Sequence, residues 1–196
     1  MNRDISLLAT AILMPGDPVD VSFAPPPVRR RLSPLQRIFF TLANRLGPCA
    51  HESIVFACRD GEDTLTRRIV ADYAVDGSVS PHRFSTSVYN ASPGLWSILT
   101  KNRSPYTAIA AGEDTIECGL IEALLGGQPA TFVYAEETGG GYGAAARFAP
   151  DIHRERPLVL RHEAGDASIS FAALTDFLTG RSRELHGRWI GIRVES

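Results

Sequence analysis

Short apolar runs alternate along the chain with longer stretches in which apolar residues recur every three to four positions. Ile5 to Met14 is an apolar run of ten. It reads as a buried first strand ending in the Pro15-Gly16-Asp17 turn. Ten residues are too few to span a bilayer, and Asp4 together with that turn argues against a signal peptide. Pro25-Pro26-Pro27 predicts extended backbone. Ser33-Pro34 opens a helix, with Ser33 as N-cap and Pro34 in the first turn. Leu35, Ile38, Phe39, Leu42 and Leu46 share one face of it, and Gly47-Pro48 stops it. Residues 53–57 read as a strand. Residues 62–74 read as a helix with Leu65, Ile69 and Tyr73 inward and Arg67 and Arg68 toward water. Residues 77–83 read as loop.

The stretch from Phe84 to Glu136 organises the rest. Residues 90–99 are predicted helical, with Pro93 tolerated in the first turn. Residues 106–111 are a short apolar run that fits one strand. Residues 114–125 form a second helix with Ile116, Leu120 and Leu124 on one face. Asp114 and Glu117 have capping-box spacing, and Gly126-Gly127 ends the helix. Residues 131–135 return as a strand. This order of strand, tight turn, helix and strand presents Glu113 at a helix N-terminus. In α/β folds, ligands and nucleophiles collect at the carboxyl ends of strands.

Beyond Ala135 the pattern changes. Gly139-Gly140-Gly141-Tyr142-Gly143 and three alanines predict a mobile loop over residues 136–156. A C-terminal extension, 157–196, carries a strand at 157–163, a helix at 170–179 ended by Gly180, and a last strand at 189–194. With 196 residues, 44% of them hydrophobic, the whole chain, 1–196, is expected to be one domain with a sizeable core.

Charge and composition narrow the function. A net charge of −2 argues against a generic nucleic-acid or membrane-surface binder. Cys49, Cys58 and Cys118 form no disulfide framework, and the odd count suits a reducing, cytoplasmic setting. His51, His82, His153, His162 and His186 show no metal-ligand spacing, so no metal and no cofactor are expected. Gly141 to Ala146 satisfies G-x-G-x-x-A, but Pro150 interrupts the segment that should be its helix. A reactive thiol needs a helix N-terminus or a nearby cation. Cys118 lies too deep in its helix and reads as a small core residue, whereas Cys58 has Arg59 beside it. Arg29, Arg30, Arg31 and Arg37 form a basic cluster near a helix start. It reads as a solvated turn, or as a surface that steers an acidic partner.

Three short motifs now stand in order: Arg29-Arg30-Arg31-Leu32-Ser33, Ser87-Val88-Tyr89-Asn90-Ala91 and Ala111-Gly112-Glu113-Asp114. Together with Ser104-Pro105 and the following apolar strand they resemble the nucleophile region of β-ketoacyl-acyl-carrier-protein synthases. The resemblance covers residues 5–137 and is most similar to the short subgroup called chain length factors. It implies an α/β, thiolase-like half-fold, a mixed sheet with helices packed on its faces. It also places Glu113 where a synthase carries its nucleophilic Cys. A Cys there attacks a thioester and carries the acyl chain, whereas a carboxylate is a weak nucleophile. The histidines from a synthase's second half are missing too.

The resemblance therefore implies a subunit with no catalytic residues of its own. It would form a heterodimer with a full-length ketosynthase in type II fatty acid or polyketide synthesis of the aryl-polyene type. An acyl carrier protein would bring the phosphopantetheine-linked chain. Ser87, Val88, Tyr89 and Asn90 would face the partner's acyl tunnel, and Ala108 and Ile109 would lie in the strand that pairs across the dimer. Two other readings remain at this point: a stand-alone thioester or ester enzyme using Cys58 or Glu113, and a purely structural subunit. Glu113 itself either complements its helix dipole or serves the paired active site.

Overall fold

The structure, a computed structural model, describes residues 5–47, 51–126, 129–150, 157–162 and 165–195. Cys49, Gly127 and His153 lie outside the described residues. Eight strands are present among those described: β1 (Ile5–Leu13), β2 (Ser53–Ala57), β3 (Tyr106–Ile109), β4 (Ala130–Glu136), β5 (Tyr142–Pro150), β6 (Pro157–His162), β7 (Glu184–His186) and β8 (Ile190–Val194). They form one sheet in the order β3-β2-β4-β5-β1-β6-β8-β7. β2 runs parallel to β3 and to β4. The other neighbours are antiparallel, so the sheet is mixed, as expected.

Helices cover both faces because the central strands are apolar on both faces. Along β2, Val55 and Ala57 point into one core, while Ile54 and Phe56 point into the other. The first core is closed by α6 (Thr115–Leu125) and α7 (Phe171–Leu178). The second is closed by α2 (Pro34–Arg45) and α5 (Ala91–Thr100), where Phe39 meets Phe56 edge-on at 5.1 Å and Phe40 meets Trp96 at 5.2 Å. β1 serves both cores. Its register against β5 slips by one residue between Leu7 and Ala9. That bulge at Leu8 turns Ile5 and Leu7 toward the first core and Ala11 and Leu13 toward the second.

α2 starts as its sequence predicts. Ser33 Oγ accepts from the Gln36 N–H at 3.0 Å, and Gln36 Oε1 accepts from the Ser33 N–H at 3.1 Å. Four other expectations are corrected. Residues 26–29 are not extended but form α1 (Pro26–Arg29), a single turn whose first two positions tolerate proline. α3 (Asp63–Asp76) buries none of its residues: Leu65 and Ile69 are half-buried and Tyr73 is 57% exposed. Part of the expected 77–83 loop belongs to α4 (Pro81–Thr86).

The fourth correction concerns residues 136–156. Most of this expected loop is β5, paired with both β1 and β4 in the middle of the sheet. Its small residues are a packing requirement. Ala144, Ala145 and Ala146 are fully buried, and a Cβ on Gly143 would lie 2.7 Å from the Leu42 side chain of α2.

The same close approach occurs at Gly119 of α6, where a Cβ would lie 2.7 Å from the Phe132 ring and 2.8 Å from Ala57 Cβ. We expect Gly119→Ala to overpack this contact and cost about 1–3 kcal/mol. A urea melt should show a lower midpoint at unchanged slope. An unchanged midpoint would show that α6 can move away from the sheet.

Candidate functional site

The parallel strands β2, β3 and β4 end at the same edge of the sheet. β3 leads through Ala110 and Ala111 into a 3-10 turn, Gly112–Asp114, and then into α6. Gly112 has φ +58°, which suits glycine. Thr115 closes the turn: its Oγ1 accepts from the Ala111 N–H at 2.9 Å and donates to the Gly112 carbonyl at 2.8 Å. The Asp114–Glu117 capping box does not form. Asp114 instead accepts from Ser168 Oγ at 2.7 Å and from Arg188 Nη1 at 3.1 Å. Glu117 is fully buried and accepts from the backbone N–H groups of Arg188, Trp189 and Ile190 at 2.9, 2.6 and 2.9 Å.

The C-terminal segment is thereby drawn over the turn. Glu113 is exposed and lines a cleft of about 450 Å³ with Arg59, Tyr134, Tyr142, Ser168 and Arg188. Sequence reasoning placed Glu113 at this strand end but missed the wall that residues 166–171 and 188 build opposite it.

Cys58 follows β2 and is fully buried. Its Sγ lies 3.5 Å from Glu136 Oε2 and accepts from the Gly61 N–H at 3.1 Å. Burial pushes the thiol pKa well up, and the neighbouring Glu136 charge adds to that. The Arg59 side chain does not help, because it turns to Asp60 at 3.1 Å. Glu136, the last residue of β4, accepts from the backbone N–H groups of Arg59 and Asp60. Burial raises its pKa as well, against those two hydrogen bonds. Cys118 is half-buried rather than part of the core, and burial raises its pKa.

The step at Ser87–Asn90 follows α4 on the surface. Ser87 Oγ donates to the Phe84 carbonyl at 2.9 Å, and Asn90 is the exposed N-cap of α5. Tyr89 is 41% exposed, yet its hydroxyl donates to the Arg59 carbonyl at 3.0 Å and its ring covers Gly61. Val88 is exposed. Arg59 thus stands between the two groups of predicted residues: its carbonyl takes the Tyr89 hydroxyl, and the residue also lines the Glu113 cleft.

Ala108 and Ile109 sit in β3, the outermost strand on its side of the sheet, beside Phe56 and Ala57. β3 is not buried as a whole: Tyr106 is exposed and the other three residues are half-covered. In the basic cluster, Arg37 is engaged within the fold, donating to the Arg29 carbonyl at 2.7 Å, while Arg30 and Arg31 are exposed. Among the described residues no group of His, Cys, Asp or Glu is placed to hold a metal ion, and no helix is long and apolar enough to cross a membrane.

A family profile described as "Beta-ketoacyl synthase, N-terminal domain" matches residues 9–131. No curated protein matches the sequence. Solved structures do. One is a chain from the complex of the ketosynthase ApeO with its chain length factor ApeC from Xenorhabdus doucetiae. The likeness has a TM-score of 0.75 at 20% identity and covers 99% of this chain and 100% of that one. A chain from a complex of a type II polyketide-synthase acyl carrier protein with its ketosynthase, AntDE:AntF, matches at TM-score 0.65 and 9% identity, over 84% of this chain and 70% of that one. The ishigamide ketosynthase/chain length factor matches at TM-score 0.58 and 12% identity, over 78% and 55%. These likenesses establish the thiolase-like ketosynthase fold.

The raised Cys58 pKa predicts chemical silence. Native protein at pH 8 should leave Cys58 unalkylated by iodoacetamide while half-buried Cys118 reacts slowly, as peptide mass spectrometry would show. Fast modification of Cys58 would revive it as a nucleophile.

Proposed function

Because the chain belongs to the family of β-ketoacyl synthase N-terminal domains, we propose that it is a chain length factor. In this reading it has no condensing activity of its own, joins a full-length ketosynthase as a heterodimer and supplies part of the wall of the acyl pocket. The observation that carries the reading is Glu113. It lies in the strand-to-helix turn between β3 and α6, the position at which the sequence resemblance would put a synthase's cysteine, and among the described residues no thiol lines the cleft around it. Buried Cys58 offers no substitute, which counts against a stand-alone thioester enzyme. The pathway would be of the type II, aryl-polyene kind in the cytoplasm. An acyl carrier protein would deliver a phosphopantetheine-linked chain, and neither metal nor nucleic acid would be required. The chain 1–196 would act as one domain, since both cores share a single sheet.

The surface supports a partner on the β3 side. β3 ends the sheet there, and an open apolar edge is a liability unless another strand pairs with it. Tyr106 on β3 and Ile98 on α5, which packs against β3, are exposed, and so are Phe84 of α4 and Val88, while α3, which packs on α4, exposes Val70, Tyr73 and Val75. Such a concentration of exposed large apolar side chains marks an interaction face.

Three outcomes test the proposal. Purified chain should not become acylated by acyl-carrier-protein thioesters, and an adduct on any residue in intact-mass spectra would overturn the non-catalytic role. Ala108→Lys with Ile109→Lys should abolish co-purification with a co-expressed ketosynthase. Survival of the complex would move the interface away from β3. Val88→Ala and Tyr89→Ala should lengthen the products of the reconstituted pair, since a closed pocket rejects each added methylene by about 1–3 kcal/mol. Tyr89→Ala also removes the bond to Arg59, so its melting temperature is read alongside. An unchanged product distribution from stable variants would leave a purely structural subunit.

A further inference from the structure

One buried acid takes no part in the cleft or in the β3 face. Glu62, the N-cap residue of α3, is 3% exposed, and neither carboxyl oxygen has a hydrogen-bond partner. Beside it stands Glu137, in the turn after β4. One Glu137 oxygen accepts from the Thr64 N–H in the first turn of α3, and the other is buried and unpartnered. Two carboxyl groups thus meet where a single helix is attached to the body of the fold.

The groups around Glu62 do not neutralise it. From α2 it faces the Ser33 hydroxyl, and from the turn after β4 it faces Glu137. Its neighbour along α3, Asp63, is engaged with Arg67 at 2.7 Å. Among the described residues, neither group facing it is a cation. Burying an unpaired charge costs so much that the group holds a proton instead. Burial accordingly raises the Glu62 pKa to about 7, with the Ser33 hydroxyl opposing and the Glu137 charge adding.

We propose that Glu62 is protonated when α3 is seated, and that loss of this proton loosens the N-terminal turns of α3, which makes the seating of this helix depend on pH. α3 has little else to hold it. It buries no residue, and its side-chain tie to α4 is the partly exposed ion pair of Arg83 with Asp72. The folded state binds the Glu62 proton more tightly than the unfolded chain does. This contribution to stability is therefore complete below the ordinary carboxylate range and is lost as pH rises through about 7. α3 also presents Val70, Tyr73 and Val75. If those residues meet the ketosynthase, which rests on the function proposed above, the pair binds more weakly above neutral pH.

Hydrogen exchange of the full chain at pH 5.5 and 8.5 tests this, with each amide corrected for its intrinsic rate. Amides 63–70 should lose about tenfold or more of their protection at the higher pH, while α2 and α6 keep theirs. Glu62→Gln should retain protection at both pH values. Glu137→Gln should move the midpoint of the loss to lower pH, because it removes the charge that holds the proton on Glu62. Equal protection of wild-type α3 at both pH values would overturn the proposal, as would a loss in Glu62→Gln as large as in wild type. Should Glu62→Gln fail to fold, an unmoved midpoint in Glu137→Gln overturns it instead. A pH-dependent α3 with a pH-independent affinity for the ketosynthase would leave this device standing and remove α3 from the proposed interface.

Discussion

A single buried carboxylate decides where the last part of the chain goes. Glu117 has no access to water, and its burial is tolerable because three consecutive backbone N–H groups converge on its carboxyl oxygens. Each such hydrogen bond contributes on the order of 1 kcal/mol or more, and a backbone donor left buried without an acceptor costs about 1–3 kcal/mol. The bonded residues are Arg188 and Trp189 of the β7–β8 turn and Ile190, the first residue of β8, so the β7–β8 hairpin is pinned to α6. Gly187 is part of the same fit, since a Cβ there would collide with the Glu117 carboxylate. Through β8 and β6 the pin reaches β1, and through Ser168 and Arg188 it reaches Asp114. The wall opposite Glu113 exists because Glu117 holds its base.

Much of this was legible in the sequence, and the failures have physical causes. Apolar periodicity located α2 and α6, and α5 and α7 were also read as helices; each lays one face on the sheet. The short segments at residues 53–57 and 131–135 were read as strands and are β2 and β4. β5 stayed hidden because its interior is alanine and glycine, which carry weak strand propensity and are required by the close packing on both faces. Its G-x-G-x-x-A pattern has nothing to do with phosphate. α3 was recognised as a helix, but its inward face was misjudged: helical spacing shows that residues share a face and does not show what covers it. Glu117 sat at the right spacing for a cap, and only the remote backbone of residues 188–190 reveals its actual partner. The position of Glu113 was readable from local order alone, whereas the acids Glu62 and Glu136 could be understood only after β2 and β4 were set side by side.

Four glutamates near one end of the sheet therefore receive four treatments. Glu113 is left in a cleft, Glu117 is saturated with backbone donors, Glu136 is partly satisfied beside a thiol, and Glu62 is buried with no backbone donor aimed at it. The same side chain becomes a surface group, a structural pin, a loop anchor or a proton carrier according to which N–H groups the fold directs at it. A residue's type at a family position is thus a weak guide to its role until its donors are counted.

The pairing of β1 with strands far along the chain has a consequence for how the protein is made. Ile5 lies opposite both Pro150 and Leu158, so β1 finds its neighbours only after most of the chain has left the ribosome. Until then an apolar N-terminal segment waits in water beside the half-built β2–β3–β4 unit. Such long-range closure slows folding and prolongs the exposure of sticky intermediates. For this chain, the order of synthesis and the supply of chaperones become as important to its yield as the final stability of the sheet.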